Sequence, residues 1–165
     1  MNQDMYVEWL VKRKEPAYAW PARIGLAILC LISLFFALMV VWGILLLAAV
    51  GAGTFFLWQM LSVEYEYLYV DGSFSIDKIL GKSRRKKVME CSKDELIMVA
   101  PADSFVLKDY ETKDMKVCDC SSGRKEVKPH ALIYQQGGRH IKVLIEPNDK
   151  LLQAIRHTSP RKIVR

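Results

Sequence analysis

The residues best suited to chemistry in this 165-residue chain are two cysteines and two histidines in its C-terminal half. Thiolate and imidazole groups bind zinc, and a cysteine beside a histidine can act as a nucleophile. Structural zinc sites normally have Cys-x₂₋₄-Cys spacing, which Cys118-Asp119-Cys120 lacks, and an extended strand would place both thiols on one packed face. We predict no metal site, no cofactor and no enzymatic activity, and the weak candidates for a metal site are Cys118, Cys120, His130 and His140.

A run of basic residues is the second feature that could bind a ligand. Each cation near an anionic membrane contributes about 1 kcal/mol of attraction, which salt screens within a Debye length. The run therefore predicts binding to anionic lipid headgroups, although the same charges could act only as a signal for membrane topology. The candidate headgroup-binding residues are Lys82, Arg84, Arg85, Lys86 and Lys87.

The element that must position these residues is the stretch from Ile24 to Leu61. It is uncharged, because it contains no Asp, Glu, Lys, Arg or His. As one helix it would reach about 57 Å, far beyond a hydrocarbon core of ~30 Å. We therefore predict a hairpin of two transmembrane helices, at about 24–41 and 45–61. The turn is expected near Trp42-Gly43, with Gly51-Ala52-Gly53 as the alternative.

Basic residues flank this hairpin on both sides, with Lys12, Arg13, Lys14 and Arg23 before it and the basic run after it. The positive-inside rule then places both termini in the cytoplasm, as an even number of spans requires. We predict a multi-pass protein of the cell membrane with reduced cysteines. A cleaved signal peptide is disfavoured, because the apolar run is too long and begins too late.

The rest of the chain divides into a cytoplasmic N-terminal segment (1–23), a β domain (62–158) and a basic tail (159–165). Residues 1–14 are predicted to form a short amphipathic helix or an irregular lead-in. Alternating apolar residues and the Asp71-Gly72 turn predict a four-stranded antiparallel meander that ends at Pro101. Phe105–Leu107 is expected to be a short strand or docking segment, followed by three strands and a helix capped by Asn148.

About seven antiparallel strands closed by one helix resemble a pleckstrin-homology-like (PH-like) barrel over residues 64–158. The whole chain also resembles a family of small two-span membrane proteins of Gram-positive bacteria, catalogued as a domain of unknown function. That resemblance implies a cytoplasmic PH-like domain and no particular reaction. It rests on Val63-Glu64-Tyr65-Glu66-Tyr67, Ile76-Asp77-Lys78-Ile79, Lys82-Ser83-Arg84-Arg85-Lys86 and Val99-Ala100-Pro101.

The sequence therefore predicts an integral membrane protein whose PH-like domain is a membrane-surface binding or scaffolding module. Its expected partners are the lipid bilayer, through anionic headgroups, and an unidentified protein. Nucleic acid is not expected, since the Tyr65, Tyr67 and Tyr69 ladder better suits barrel packing and the membrane interface than base stacking. The alternative is an accessory or regulatory subunit of a membrane enzyme or transporter complex, docking through the glycine-containing hairpin. A homo-oligomer also stays open.

Overall fold

The computed structural model describes residues 6–110 and 115–164, which divide into two compact units. The helical unit comprises Glu15–Val63 and Leu80–Arg84. The β unit comprises the described residues of Met1–Lys14, Glu64–Ile79 and Arg85–Arg165. The turn at Leu80–Arg84, which joins two strands, thus belongs to the helical unit. The described part of the N-terminal segment up to Lys14 belongs to the β unit.

The helical unit consists of α1 (Ala19–Met39) and α2 (Gly43–Leu61), each long and apolar enough to cross a membrane. Their most apolar windows have mean hydropathies of 2.3 and 1.9, and only 6% and 0% of the residues in those windows are buried. A core helix of a soluble protein would be largely buried, so these two exposed apolar helices indicate membrane association.

Residues 40–42 connect the two helices, and the connection requires glycine at position 43. A Cβ atom on Gly43 would lie 2.5 Å from the Phe36 carbonyl oxygen and 2.6 Å from the Ala37 Cα atom. The Gly43 amide donates a hydrogen bond of 2.8 Å to the Val40 carbonyl oxygen. The turn therefore lies beside Trp42-Gly43, and Gly51 lies inside α2.

Within the described residues, the β strands form two four-stranded sheets followed by a C-terminal helix, α3 (Asp149–Thr158). Sheet A has the strand order β1-β2-β3-β4 and sheet B has the order β5-β7-β8-β6. This arrangement confirms the predicted fold class of an apolar helical hairpin with a PH-like β domain. The strands are β1 (Tyr6–Lys12), β2 (Val63–Val70), β3 (Ser73–Leu80), β4 (Arg84–Cys91), β5 (Leu96–Pro101), β6 (Lys116–Asp119), β7 (His130–Gln136) and β8 (Arg139–Ile145).

The N-terminal segment corrects the sequence interpretation, because residues 6–12 form strand β1 and not an amphipathic helix. β1 pairs antiparallel with β2 over its whole length, from Tyr6 opposite Val70 to Lys12 opposite Glu64. The pairing satisfies the backbone of an edge that β2 would otherwise leave open. The part of this prediction that concerns residues 1–5 lies outside the described residues.

The predicted four-stranded meander is also wrong in its last member. β5 leaves the meander and pairs with β7 in sheet B, while β1 supplies the fourth strand of sheet A. Strand β6 runs parallel to β8, so the sheet is not wholly antiparallel. Phe105–Asp109 forms a 3₁₀ helix, so the strand alternative for this segment is wrong. Its Leu107 is buried in a small core cluster, as the docking-segment alternative predicted.

The core of the β unit lies between the sheets and under α3. Tyr65, Tyr67 and Tyr69 alternate along β2 and are all buried, as strand periodicity predicts. Helix α3 starts at an Asn148 cap whose side chain accepts a hydrogen bond of 2.8 Å from the Leu151 amide. It buries Leu151 and Ile155 completely. The helix thereby covers apolar surface that the two sheets leave exposed.

Candidate functional site

The basic turn between β3 and β4 is held at the C-terminal end of α2 within the helical unit. The Gly81 amide donates a hydrogen bond of 3.0 Å to the carbonyl oxygen of Ser62, the residue that follows α2. Gly81 has φ +56°, and a Cβ atom there would lie 2.6 Å from the Cβ of Gln59, so glycine permits this close approach. Lys82 also has positive φ, 62°, as the tight turn demands.

Arg84 lies on the same helix end, where its guanidinium carbon is 5.9 Å from the centre of the Phe56 ring. A small cavity of about 30 Å³ is lined by these two residues with Gln59, Met60 and Leu80. A cation over an aromatic ring at the end of an apolar helix is an arrangement suited to a membrane–water interface.

The five predicted headgroup-binding residues are all exposed but differ in their neighbours. Lys82 and Arg84 belong to the helical unit, whereas Arg85, Lys86 and Lys87 belong to β4 in the β unit. Two are paired with carboxylates, since Arg85 binds Glu66 and Lys87 lies 2.7 Å from Glu90. In the part of the chain that the structure describes, the other three make no ion pair, which leaves them able to contact an anion.

Sequence reasoning missed a second cationic arrangement in the helical unit. Arg23 forms two hydrogen bonds to Glu15, of 2.8 and 2.9 Å, and its guanidinium carbon is 5.1 Å from the centre of the Trp58 ring. The two helices bring Arg23 and Trp58 together from distant parts of the sequence, so spacing alone carried no signal. Because Glu15 balances its charge, Arg23 is expected to be a weak headgroup ligand.

Sheet A carries a buried carboxylate that pairs with a basic residue of β4. Glu66 is 2% exposed, and its Oε2 atom lies 3.0 Å from Nη1 of Arg85. Burial raises the pKa of Glu66, the Arg85 charge opposes that rise, and nearby Glu8 adds to it. Glu8 in turn accepts a hydrogen bond of 2.7 Å from the Tyr6 hydroxyl. Arg85 is therefore mainly a partner for a buried carboxylate.

Substituting Arg85→Gln is expected to lower the free energy of unfolding by about 1–3 kcal/mol at neutral pH, because Glu66 loses its cation. The folded state holds the Glu66 proton to higher pH than the unfolded state, whose ordinary glutamate pKa is about 4.3. Stability therefore falls as pH rises from that value through the raised pKa. The variant raises this pKa further, so its deficit should disappear in acid.

Thermal unfolding of the full chain in detergent across pH measures this effect. The matched control is the double variant Glu66→Gln/Arg85→Gln, which removes the buried charge together with its partner and should lose the pH-dependent deficit. A deficit in Arg85→Gln that persists unchanged below the ordinary glutamate pKa would show that Arg85 acts through packing instead.

Three of the four metal-site candidates lie in sheet B and Cys120 directly follows its strand β6, but the four do not converge on one point. His130 pairs with Ile145 and His140 with Gln135, which puts the histidines roughly 16 Å apart along the strands at ~3.3 Å per residue. His140 packs against Tyr110, with ring centres 6.3 Å apart. Among residues 6–110 and 115–164, no group of three or more His, Cys, Asp or Glu side chains could hold a metal ion.

The two cysteines of this set differ in exposure, since Cys118 is half-buried and Cys120 is buried. Cys120 is buried, and its burial raises the thiol pKa to about 12. A nucleophilic cysteine needs the opposite shift, toward the thiolate. The Cys120 carbonyl oxygen accepts a hydrogen bond of 2.7 Å from the Tyr67 hydroxyl, which gives this segment a structural task. The absence of enzymatic activity stays a prediction.

A groove in the β unit runs along β1 and has a volume of about 340 Å³. Its floor includes Trp9, whose indole nitrogen donates a hydrogen bond of 3.0 Å to the Glu146 carbonyl oxygen. The sequence offered little sign of it, because it forms only when β1 meets the loop before β7. The residues that line it are Trp9, Leu10, Val11, Lys12, Ser122, Arg124, Val127, Lys128, His130, Glu146 and Pro147.

Two exposed apolar helices and a two-sheet domain closed by a helix define a membrane-associated protein with a PH-like domain. The chain belongs to the bacterial PH-like domain family DUF6106, whose sequence profile matches residues 3–165. No curated protein and no solved structure shows significant similarity to it. The family has no known function, as the resemblance implied, and its restriction to Gram-positive bacteria stays a prediction.

Proposed function

We propose that this protein is a membrane-anchored module whose PH-like domain binds or scaffolds a partner at the cytoplasmic membrane surface. The α1–α2 hairpin spans the bilayer with both termini in the cytoplasm, and Lys82 and Arg84 contact anionic headgroups. The observation that carries the proposal is the hydrogen bond from Gly81 to Ser62, which ties the basic turn to the end of α2. If α2 spans the membrane, the turn lies at headgroup depth.

The charges around the turn support the same proposal. Lys82 and Arg84 are exposed and share the helical unit with the apolar helices. Two such cations at an anionic surface contribute about 2 kcal/mol in total. Trp58 lies in the last turn of α2, where an interfacial aromatic ring is favourable.

Replacing both cations, in the variant Lys82→Gln/Arg84→Gln, is expected to loosen the turn on anionic membranes. Amide hydrogen exchange of residues 81–87 should be about tenfold slower in nanodiscs that contain phosphatidylglycerol than in neutral ones. The variant should lose that difference, because the headgroup contacts are gone. Hydrogen exchange of the full chain, resolved by mass spectrometry, measures both.

The matched control is Arg139→Gln, an exposed arginine at the β7–β8 turn that should leave the lipid dependence unchanged. Equal exchange of the turn in neutral and anionic nanodiscs would refute headgroup binding. In that case the basic run serves as a topology signal only.

A second candidate, an accessory or regulatory subunit of a membrane enzyme or transporter complex, is favoured by the glycines of the hairpin. A Cβ atom on Gly25, Gly51 or Gly53 would meet no other atom within 4 Å, so these glycines are not needed for packing α1 on α2. They leave shallow surfaces against which a helix of another membrane protein could pack closely. Gly43 differs, because the turn itself requires it.

A further inference from the structure

Strand β1 is an edge strand of unusual character. It stands at the end of sheet A, and within the described residues it pairs with β2 alone. It is seven residues long, contains no proline and exposes Trp9 and Leu10 by 39% and 45%. The edge is protected in part, because Glu8 and Lys12 carry exposed charges and helix α3 lies against the strand. Where it is not covered, a strand edge offers main-chain groups to another strand.

The groove described above follows the backbone of this edge. Four consecutive β1 residues, 9 to 12, line it, although successive side chains of a strand point to opposite faces. A groove that runs along the strand edge accounts for this lining, because both side-chain faces meet at the edge. The groove therefore gives access to main-chain groups of β1 as well as to its side chains.

The charge of the groove selects the kind of segment that could fill it. Lys12, Arg124 and Lys128 line it, while its carboxylate, Glu146, already accepts hydrogen bonds of 2.9 and 2.7 Å from the amide and hydroxyl of Ser122. Lys128 also lies 3.1 Å from Asp103, but both side chains are largely exposed. An exposed ion pair is weak, so Lys128 can leave Asp103 for another anion. The groove is therefore left with an excess of positive charge beside apolar surface from Trp9 and Val127.

We propose that this groove binds a short, extended, acidic segment of a partner protein, which adds as a strand to the edge of β1 at residues 9 to 12. Main-chain hydrogen bonds to β1 hold the segment, its acidic side chains meet Lys12 and Arg124, and its apolar side chains pack on Trp9. This inference rests on the partner-binding half of the proposed function and names the chemistry of the partner. It is independent of headgroup binding by the basic turn.

The test uses the full chain in nanodiscs of neutral lipid and a fluorescent, capped peptide of alternating Glu and Val, followed by fluorescence anisotropy. We expect saturable binding that Lys12→Gln/Arg124→Gln weakens about tenfold, with Arg139→Gln as the unaffected control. The same peptide with alternate backbone amides methylated should not bind, because it cannot pair with a strand edge.

Three outcomes would overturn the proposal. The first is no binding up to about 1 mM peptide, and the second is equal binding of the methylated peptide, which would show charge attraction alone. The third is a change of occupant, either a dimer joined through β1 or displacement of the peptide by vesicles containing phosphatidylglycerol. Each leaves the hydrogen-exchange test of the basic turn unaffected, so failure of one proposal is distinguishable from failure of the other.

Discussion

Deleting residues 1–14 is expected to unfold the β unit, because β1 is an integral strand of sheet A. The deletion removes a seven-residue pairing with β2 and the buried side chain of Val11. It also removes the bond from the Trp9 indole to Glu146 and the 2.7 Å bond from the Lys14 amide to the Ser122 carbonyl oxygen. We expect a loss of about 5 kcal/mol or more, comparable to the whole stability of a small domain.

Two soluble versions of the β unit make this measurable. Residues 62–165 alone lack β1 and should give a poorly dispersed NMR spectrum and no cooperative thermal transition. In the second version a short turn replaces residues 15–62 and joins β1 to β2 as a hairpin, which the pairing of Lys12 with Glu64 allows. This version should fold. A dispersed spectrum and an equal melting temperature for residues 62–165 alone would contradict the assignment of β1 to the domain.

Substituting Tyr67→Phe is expected to lower the free energy of unfolding by about 2–3 kcal/mol, a large effect for the loss of one oxygen atom. The Tyr67 hydroxyl donates a bond of 2.7 Å to the Cys120 carbonyl oxygen and accepts one of 3.2 Å from the Glu146 amide. It thereby joins β2 in sheet A to the ends of β6 and β8 in sheet B. Phenylalanine leaves the buried Cys120 carbonyl and the half-buried Glu146 amide without this partner.

Tyr69→Phe is the matched control for that substitution. Tyr69 lies on the same face of β2 and is 1% exposed, but among the described residues its hydroxyl makes no hydrogen bond of normal geometry. We expect its loss to change stability by less than about 1 kcal/mol. Thermal unfolding of the full chain in detergent compares the two, and equal melting temperatures would show that the Tyr67 bonds contribute nothing.

Several elements were predictable because their signals are local. Exclusion of charge from a hydrocarbon core defined the hairpin, and alternation along Tyr65, Tyr67 and Tyr69 predicted their common buried face. The Asn148 cap and the apolar residues Leu151 and Ile155 predicted α3 in the same way. Each of these features depends on one continuous stretch of the sequence.

Strand β1 was missed because its partner in pairing, β2, lies more than fifty residues away, beyond the hairpin. Trp9 and Leu10, with basic residues after them, match an interfacial helix equally well, and only the free edge of β2 decides between helix and strand. β5 was assigned to the wrong sheet for the same reason, because its pairing partner β7 also lies far along the chain.

The same distinction between local signals and contacts of distant segments applies to the candidate sites. The sequence by itself determined that the chain carries an apolar hairpin, a basic run and a β domain with a terminal helix. Tertiary structure alone decided that Arg85 serves a buried Glu66, that Gly81 ties the basic turn to α2, and that β1 opens a cationic groove. Composition and periodicity indicate whether a segment faces lipid, water or a protein core. Ion pairs, strand edges and grooves depend instead on which distant segments meet.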